Sequence, residues 1–385
     1  MIQVAKIIEG AKAATGLSNF GPDGWQEGLE ILTDSVNREA DLNEMGVASY
    51  EGQCTMFLMR RLEIEDWYAR HPEIDEEEVV APLLVLGLPR TGSTALHCQL
   101  GEDPNVRVMR NWECMFPCPP PEAATYWTDP RIAMMDEQMA MREQLTPRMK
   151  QMLPSTSTSP TEDQVTMGFD FKSQMFQSSF RIPSYTEWFN HKADLVPTMH
   201  YVKRVLKLLQ WRCGPKNWRL KNPTYILLID ALDKVFPDAR YVMTHRDVAD
   251  VIPSVADLYF ELSRNNTDHP DKHWMGAVMR ESCALGMRRM IDFRDKGNEH
   301  RFFDIHFAPF QKDPFPSLEG LYSFLGEELT QETRDNVLRW RAEQPRDKHG
   351  LHEYDPSEFG LDRAELRQYY KFYSDRFGIP ASSAA

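Results

Sequence analysis

Apolar residues recur at three- and four-residue spacing through the first 80 residues of the chain. The pattern is clearest in GWQEGLEILTDSVNREADLN at 24–43 and TMFLMRRLEIEDWYARHPEI at 55–74. This spacing places the apolar side chains on one face of a helix, as in amphipathic helices that pack on a core. The sequence therefore predicts a helical N-terminal segment over residues 1–80.

Short apolar runs that are too brief for helices follow later in the chain. They are LLVLG at 83–87, WRL at 218–220, RYVMT at 240–244 and RFFDI at 301–305. A helical pattern, YILLIDALDKVF at 225–236, separates the second run from the third. Strands that alternate with helices are typical of parallel sheets with right-handed crossovers. We therefore expect an α/β fold over residues 81–385, with a parallel β-sheet flanked by helices and further helices at the C-terminus.

Residues 117–215 interrupt this alternation with a section rich in proline, methionine and aromatic residues. We interpret the section as an insertion of helices and loops that lies over the functional site. Its apolar side chains suit two roles equally, the wall of a lipophilic pocket or part of the core. These side chains are Met167, Phe169, Phe171, Met175, Phe176, Phe180, Tyr185, Trp188 and Phe189.

The formal net charge of −14 argues against a nucleic-acid surface, because binding to phosphate backbones requires a broad basic face. An anion would instead be held by a few local cations. No apolar run is long enough to cross a bilayer and no signal-peptide pattern opens the chain, so we expect a cytoplasmic protein. The six cysteines lack paired spacing, which favours free thiols over disulfides or a zinc site.

A glycine-rich loop joins the first predicted strand to a predicted helix, in LLVLGLPRTGSTALHCQL at 83–100. Gly87 and Gly92 let the backbone approach an anion, and the free N–H groups of the helix start would point at it. A Walker loop has lysine directly after its second glycine, but here Ser93 holds that position and the cation is Arg90. The sequence predicts a P-loop-type anion site that suits ATP poorly; the alternative is a structural turn.

A second basic corner follows the third predicted strand, in FPDARYVMTHRDVADVIPSV at 236–255. Arg246 stands on the exit loop, and Ser254 lies about two turns into the next helix. Both lie at the same edge of the sheet as the first loop, so they suit a second phosphate. Pro253 removes an N–H beside Ser254 and is expected to kink the helix there.

Together the two corners resemble sulfotransferases that use 3′-phosphoadenosine-5′-phosphosulfate (PAPS), especially the bacterial branch related to tyrosylprotein sulfotransferases. PRTGST at 89–94 is similar to the family's loop for the 5′-phosphosulfate, and the second corner is similar to its 3′-phosphate site. Further similarity lies in WE at 112–113, RLKNP at 219–223, HFAPFQKDP at 306–314 and HGLHEYDPSEFGLD at 349–362. The resemblance implies that the donor-binding residues are Arg90, Thr91, Gly92, Ser93, Thr94, Arg246 and Ser254.

The resemblance also implies catalytic roles. Lys221 is similar in position to the family's lysine at the bridging oxygen of the leaving group. Glu113 lies close to where the tyrosylprotein branch has its glutamate base, and His97 is the alternative because its ordinary pKa suits proton transfer. Arg346 and Lys348 resemble the basic C-terminal loop that closes over the nucleotide.

The resemblance implies an enzyme that transfers a sulfuryl group from PAPS to a hydroxyl of a small, lipophilic alcohol or phenol, giving a sulfate ester and 3′,5′-ADP. Arg90 and Lys221 would stabilise charge on the leaving bisphosphate, and no metal is expected. The alternatives are a P-loop small-molecule kinase, a non-catalytic nucleotide-binding protein and a scaffold. The N-terminal helices suit either a cap over the pocket or a homodimer contact.

Overall fold

A computed structural model describes residues 1–345 and 353–382, which contain one parallel sheet of four strands. The strands are β1 (Leu83–Gly87), β2 (Arg219–Lys221), β3 (Arg240–His245) and β4 (Phe302–His306). They lie in the order β2-β1-β3-β4, and each neighbouring pair is parallel. The predicted α/β fold class is confirmed, and each strand begins within one residue of its predicted position.

Helices surround the sheet, and the helical N-terminal segment is present as predicted. That segment contains α1 (Val4–Thr15), α2 (Trp25–Glu39) and α3 (Glu44–Arg70). After β1 come α4 (Ser93–Leu100) and α5 (Asn111–Met115). The insertion contains α6 (Pro130–Leu145), α7 (Met149–Met152), α8 (Gln164–Gly168), α9 (Met175–Ser179), α10 (Pro183–His191) and α11 (Val196–Gln210).

The remaining helices follow β2, β3 and β4. They are α12 (Ile229–Val235), α13 (Val248–Ser263), α14 (Lys272–Phe293), α15 (Phe307–Lys312), α16 (Phe315–Leu325), α17 (Gln331–Glu343), α18 (Arg363–Tyr369) and α19 (Lys371–Phe377). Across the described parts of the chain, none of the helices has the length and apolar character needed to span a membrane.

The sheet is covered on both faces, which explains why its strands are apolar runs rather than alternating ones. All residues of β1 are buried. Leu84 and Leu86 belong to the main core, whereas Leu83 and Val85 belong to a second core on the opposite face. Successive side chains of a strand point to opposite faces, so a single strand contributes to both cores.

The aromatic and methionine side chains of the insertion pack into the main core. Phe169 and Phe176 meet Phe57 of α3 edge to face, with ring centroids 5.6 and 6.1 Å apart. All of the predicted set are buried except Met175, which packs partly buried against the same core. Of the two roles that the sequence left open for these side chains, the structure therefore places them in the core.

A buried arginine joins the N-terminal segment to the insertion. Arg61 of α3 donates to the backbone oxygens of Phe20 at 2.7 Å and Pro22 at 2.6 Å. Its guanidinium also pairs with Asp170 at 3.3 Å, and both charged side chains are at most 2% exposed. Because a buried ion needs such partners, these bonds fix the N-terminal helices to the rest of the fold. The domain boundary at residue 80 stays a prediction.

Replacing this arginine tests that connection. Arg61→Met should lower the free energy of unfolding by about 3–5 kcal/mol, because it leaves Asp170 buried without its cation. Urea unfolding measures the change. The matched control is Arg38→Met, which breaks an exposed pair with Asp34 and should change stability little. Equal effects of the two substitutions would contradict the fixing role of Arg61.

Candidate active site

The glycine-rich loop turns sharply between β1 and α4. Gly87, Arg90 and Gly92 have positive φ angles of 126°, 64° and 91°. A Cβ at Gly87 would lie 2.8 Å from the backbone oxygen of Thr244, so glycine lets β1 and β3 end this close together. The first helical bond runs from the Leu96 N–H to the Gly92 oxygen. The amides before it face the open end of the helix, as at anion sites.

Arg90 and Arg246 bring the two predicted corners into contact. Arg246 Nη1 donates to the backbone oxygen of Arg90 at 3.1 Å. The Arg90 guanidinium donates to Ser254 Oγ at 3.1 Å and to the Met152 backbone oxygen at 2.8 Å. Helix α13 runs on through Pro253 and presents Ser254 to Arg90. The two corners therefore lie side by side at the carboxyl ends of neighbouring strands.

The charges at this contact favour an anion. Burial, and secondarily the like charge of Arg246, lower the pKa of the Arg90 guanidinium. Arg90 also holds a left-handed φ of 64°, which is uncommon for a residue with a Cβ. An anion bound between the two guanidinium groups would relieve their repulsion.

The hydroxyl residues of the loop differ in what they contact. Thr91 is buried, and its Oγ1 lies 2.6 Å from both the Leu88 backbone oxygen and Thr244 Oγ1. Its side chain therefore fastens the loop to the end of β3. Ser93 is buried at the first position of α4.

Lys221 ends β2 and pairs with a carboxylate that the sequence analysis missed. Its Nζ lies 2.6 Å from Glu162 Oε1 and 3.3 Å from Thr94 Oγ1. The second oxygen, Glu162 Oε2, accepts from Gln164 Nε2 at 2.8 Å. The Glu162 side chain remains 32% exposed, whereas that of Lys221 is 4% exposed. The Glu162 carboxylate is thus fixed by hydrogen bonds, yet accessible to solvent, beside the glycine-rich loop.

The next residue, Asp163, anchors this carboxylate's segment to the sheet. It is fully enclosed, and it accepts from Asn222 Nδ2 at 2.9 Å and from the Tyr225 hydroxyl. Burial raises the pKa of Asp163 to about 7 in spite of these bonds. No motif marked Glu162 in the sequence. Its one signal was an acidic pair in a stretch otherwise rich in serine, threonine and proline.

Glu113, predicted as the general base, lies in an enclosed ion pair. Its side chain is 0% exposed, and Oε2 accepts from Arg107 Nη2 at 2.9 Å and from the Tyr126 hydroxyl at 3.1 Å. Its Oε1 accepts from the Arg110 N–H at 3.0 Å, which caps α5. Protein donors therefore occupy both oxygens. These contacts favour a structural role for Glu113 rather than contact with an acceptor.

His97, the alternative base, is also enclosed. It is 1% exposed, and its Nε2 lies 2.9 Å from the Arg219 backbone oxygen. Burial, with the charge of Lys221 nearby, lowers the pKa of His97 to about 3. A neutral, inaccessible imidazole of this basicity is poorly suited to take a proton near neutral pH.

An aromatic ring and the C-terminal segment close the second corner. The Arg246 guanidinium lies 4.5 Å from the centre of the Phe307 ring. The same ring lies 3.0 Å from where a Cβ at Gly92 would be, so it also borders the first corner. The Tyr354 hydroxyl donates to the backbone oxygen of Asp250 at 2.8 Å. Phe307 and Tyr354 stand in segments that carried the resemblance, but they were not among the predicted site residues.

Three further predictions concern the C-terminal loop, metal binding and the cysteines. Arg346 and Lys348, expected in the loop over the nucleotide, lie outside the described residues. Within residues 1–345 and 353–382, no group of three or more histidine, cysteine or acidic side chains is arranged for a metal ion. All six cysteines are free thiols that form no disulfide bond.

Two basic corners on adjacent parallel strands, one of them a glycine-rich loop that opens a helix, are typical of P-loop-type α/β proteins. The model of the sulfotransferase family matches residues 82–331 of this chain. The chain therefore belongs to the sulfotransferase family, as the sequence motifs predicted. The matched region contains both corners and the Glu162–Lys221 pair.

Solved structures of sulfotransferases resemble the whole chain. STF9 from Mycobacterium avium is 31% identical with a TM-score of 0.92, and the match covers 100% of this chain and 99% of that one. STF1 from Mycobacterium tuberculosis H37Rv is 25% identical with a TM-score of 0.86, covering 96% of this chain and 98% of that one.

Curated relatives match a shorter region. The omega-hydroxy-beta-dihydromenaquinone-9 sulfotransferases Stf3 of Mycobacterium bovis and Mycobacterium tuberculosis are each 26% identical over 260 residues. The match covers 65% of this chain and 64% of each relative's length. These relatives support the family assignment for the 260 residues over which they match.

The environment of His97 predicts an unusual titration. With its pKa near 3, the imidazole should stay neutral from pH 8 to about pH 5, whereas in the unfolded chain it protonates near its ordinary value of about 6.5. Neutral His97 should therefore contribute stability above pH ~6.5 that is lost as the pH falls toward 3.

The NMR shift of the His97 Cε1 proton measures this directly, with the urea-unfolded protein as the control. An imidazole that titrates near its ordinary value in the folded protein would contradict the buried, neutral assignment.

Proposed function

We propose that this protein transfers a sulfuryl group from PAPS to a hydroxyl of a small, lipophilic alcohol or phenol. The observation that carries the proposal is the contact of Arg246 with Arg90, and of Arg90 with Ser254, at neighbouring strand ends. PAPS bears a phosphosulfate and a separate 3′-phosphate, so one donor molecule has an anionic group for each corner. Membership of the sulfotransferase family supports this choice of donor.

The first corner takes the phosphosulfate in this proposal. Its residues are Arg90, Thr91, Gly92, Ser93 and Thr94. Thr91 contributes its backbone, because its hydroxyl is bonded to other protein oxygens. Arg246 and Ser254 take the 3′-phosphate. In a chain with a net charge of −14, this local concentration of cations and helix-start amides gives a strongly anionic donor a favourable site.

The Glu162–Lys221 pair supplies the reaction's acid–base and electrostatic groups. PAPS would bring an activated sulfuryl group, whose in-line transfer depends mainly on positioning and charge stabilisation. Glu162 is our candidate for accepting the proton of the acceptor hydroxyl, because its carboxylate is held yet accessible. Lys221 stabilises the negative charge that develops on the leaving bisphosphate. Glu162 takes the role first predicted for Glu113.

The name of the curated relatives supports the class of acceptor. The curated relatives are named for an omega-hydroxy dihydromenaquinone, a lipophilic molecule with a hydroxyl.

A kinase of the same fold would need a lysine at the position of Ser93, directly after the second loop glycine. Phosphosulfate chemistry is therefore favoured over ATP chemistry at this loop.

Calorimetric titration with adenosine 3′,5′-bisphosphate, with and without magnesium ATP as a competitor, tests the donor site. The wild-type protein should bind the bisphosphate, and Arg246→Met should weaken binding at least about tenfold through loss of charge-assisted bonds. Arg38→Met, which removes an exposed arginine of the N-terminal segment, is the control and should leave affinity unchanged. Absence of wild-type binding, or preference for magnesium ATP, would overturn the proposal.

A pair of glutamate substitutions tests the base. Glu162→Gln should retain bisphosphate affinity and lose about 10²–10⁴-fold in turnover with PAPS and a panel of alcohols and phenols, because an amide cannot accept the proton. The control is Glu137→Gln on the exposed surface of α6, which should behave as wild type. Retained turnover in Glu162→Gln would exclude the carboxylate as the base.

A further inference from the structure

Helices α18 and α19 contact the second basic corner on both sides of Arg246. Arg367 of α18 donates from its Nη2 to Asp247 Oδ2 at 2.8 Å. The Tyr373 hydroxyl of α19 lies 3.1 Å from His245 Nδ1. Both helices thus bind the residues next to Arg246 in the sequence. The C-terminal helices therefore fix the backbone that carries this arginine.

One carboxylate, that of Asp250, lies between two arginines. Asp250 stands in the first turn of α13, and its side chain is 15% exposed. Its Oδ1 accepts from Nη1 of Arg363 in α18 at 3.0 Å, whereas its Oδ2 lies 3.4 Å from Arg246 Nη2. The second distance exceeds the ~3.2 Å that usually bounds an N–H···O hydrogen bond. Arg363 therefore holds this carboxylate more closely than Arg246 does.

A tyrosine of the C-terminal segment holds the backbone of Asp250 as well. The Tyr354 hydroxyl donates to the Asp250 backbone oxygen at 2.8 Å. Burial raises the pKa of Tyr354, and the charge of Asp250 adds to this effect, whereas the charges of Arg246 and Arg363 oppose it. Tyr354 is therefore a neighbour of all three charged groups. Its hydroxyl fixes the Asp250 backbone while Arg363 fixes the side chain.

An anion that binds Arg246 meets the Asp250 carboxylate. Because Asp250 Oδ2 lies 3.4 Å from Arg246 Nη2, a phosphate on this guanidinium competes with the carboxylate for the same N–H groups. Two negative charges this close also repel one another, and solvent screens them little at a partly buried position. A second cation on the carboxylate reduces both effects. Arg363 is placed to supply that cation.

We propose that Arg363 is a positioning residue of the donor site, which binds the Asp250 carboxylate and thereby leaves the Arg246 guanidinium to the 3′-phosphate. The inference rests on the proposed function, in which Arg246 binds that phosphate. Arg363 acts through Asp250 and not by contact with the nucleotide. The match to the sulfotransferase family model ends at residue 331, before α18 begins. The donor site thus extends into the C-terminal helices.

A second substitution separates this role from the other roles that Arg363 could have. Removing Arg363 alone leaves Asp250 to pair with Arg246 and leaves its charge uncompensated beside the phosphate. Removing the charge of Asp250 as well eliminates both effects. A direct bond from Arg363 to the phosphate would be lost whether or not Asp250 is charged, and so would a purely structural contribution. Rescue by Asp250→Asn is therefore specific to the positioning role.

Calorimetric titration with adenosine 3′,5′-bisphosphate compares the wild type with Arg363→Met, Asp250→Asn and the double variant. Arg363→Met should weaken binding about tenfold, because the freed carboxylate competes with the phosphate. Asp250→Asn should bind at least as tightly as the wild type, and the double variant should bind within about twofold of Asp250→Asn. In turnover with PAPS, Arg363→Met should raise the KM for PAPS and leave kcat nearly unchanged.

The matched control is Arg376→Met. Arg376 of α19 has a side chain that is 39% exposed, as is that of Arg363, and it pairs with Asp295 and Glu299 rather than with an acid of α13. This variant should bind the bisphosphate as the wild type does. Thermal unfolding checks that every variant is folded, and Arg363→Gln replaces Arg363→Met if the latter is not.

Three results would overturn the positioning role. They are unchanged affinity in Arg363→Met, a loss that persists in the double variant, and an equal loss in Arg376→Met or in Asp250→Asn alone. A wild-type protein that fails to bind the bisphosphate would overturn the proposed function itself. Wild-type binding that Arg363→Met does not weaken would overturn this inference alone.

Discussion

The hydrogen bond from Arg246 to the backbone oxygen of Arg90 is the interaction on which the functional site depends. It requires β1 and β3 to be neighbours whose ends meet at the pairing of Gly87 with Thr244. The glycine removes the side chain that would otherwise hold the strands apart. The sheet order thus brings two cations that are far apart in sequence together at one edge of the sheet.

The parts of the protein that were predictable from sequence are those encoded in contiguous segments. Each strand was visible as an apolar run because the covered sheet buries both of its faces. The loop around Arg90 and the corner around Arg246 were visible because phosphate recognition uses backbone amides, glycines and cations within a few residues of one another. Their adjacency followed from the parallel sheet, since the carboxyl ends of parallel strands share an edge.

The carboxylate opposite Lys221 was not predictable in this way. Glu162 contacts Lys221, although the two are 59 residues apart in sequence. Glu162 also lies in an insertion that has no regular sequence pattern. Glu113 was the more visible candidate, but it meets Arg107 and Tyr126, and no local pattern reports whether a carboxylate is enclosed. The role of the insertion's aromatic residues was ambiguous in sequence because a core and a lipophilic pocket are built from the same side chains.

The bond between Arg90 and the Met152 carbonyl connects the glycine-rich loop to α7. Met152 ends α7, and Arg148, just before that helix, pairs with Asp257 and Glu261 of α13. An arriving anion competes with the carbonyl for the same guanidinium N–H groups and offers them a stronger, charge-assisted bond. An anion at Arg90 would therefore act on the position of Met152 and, through Arg148, on the contact between α7 and α13.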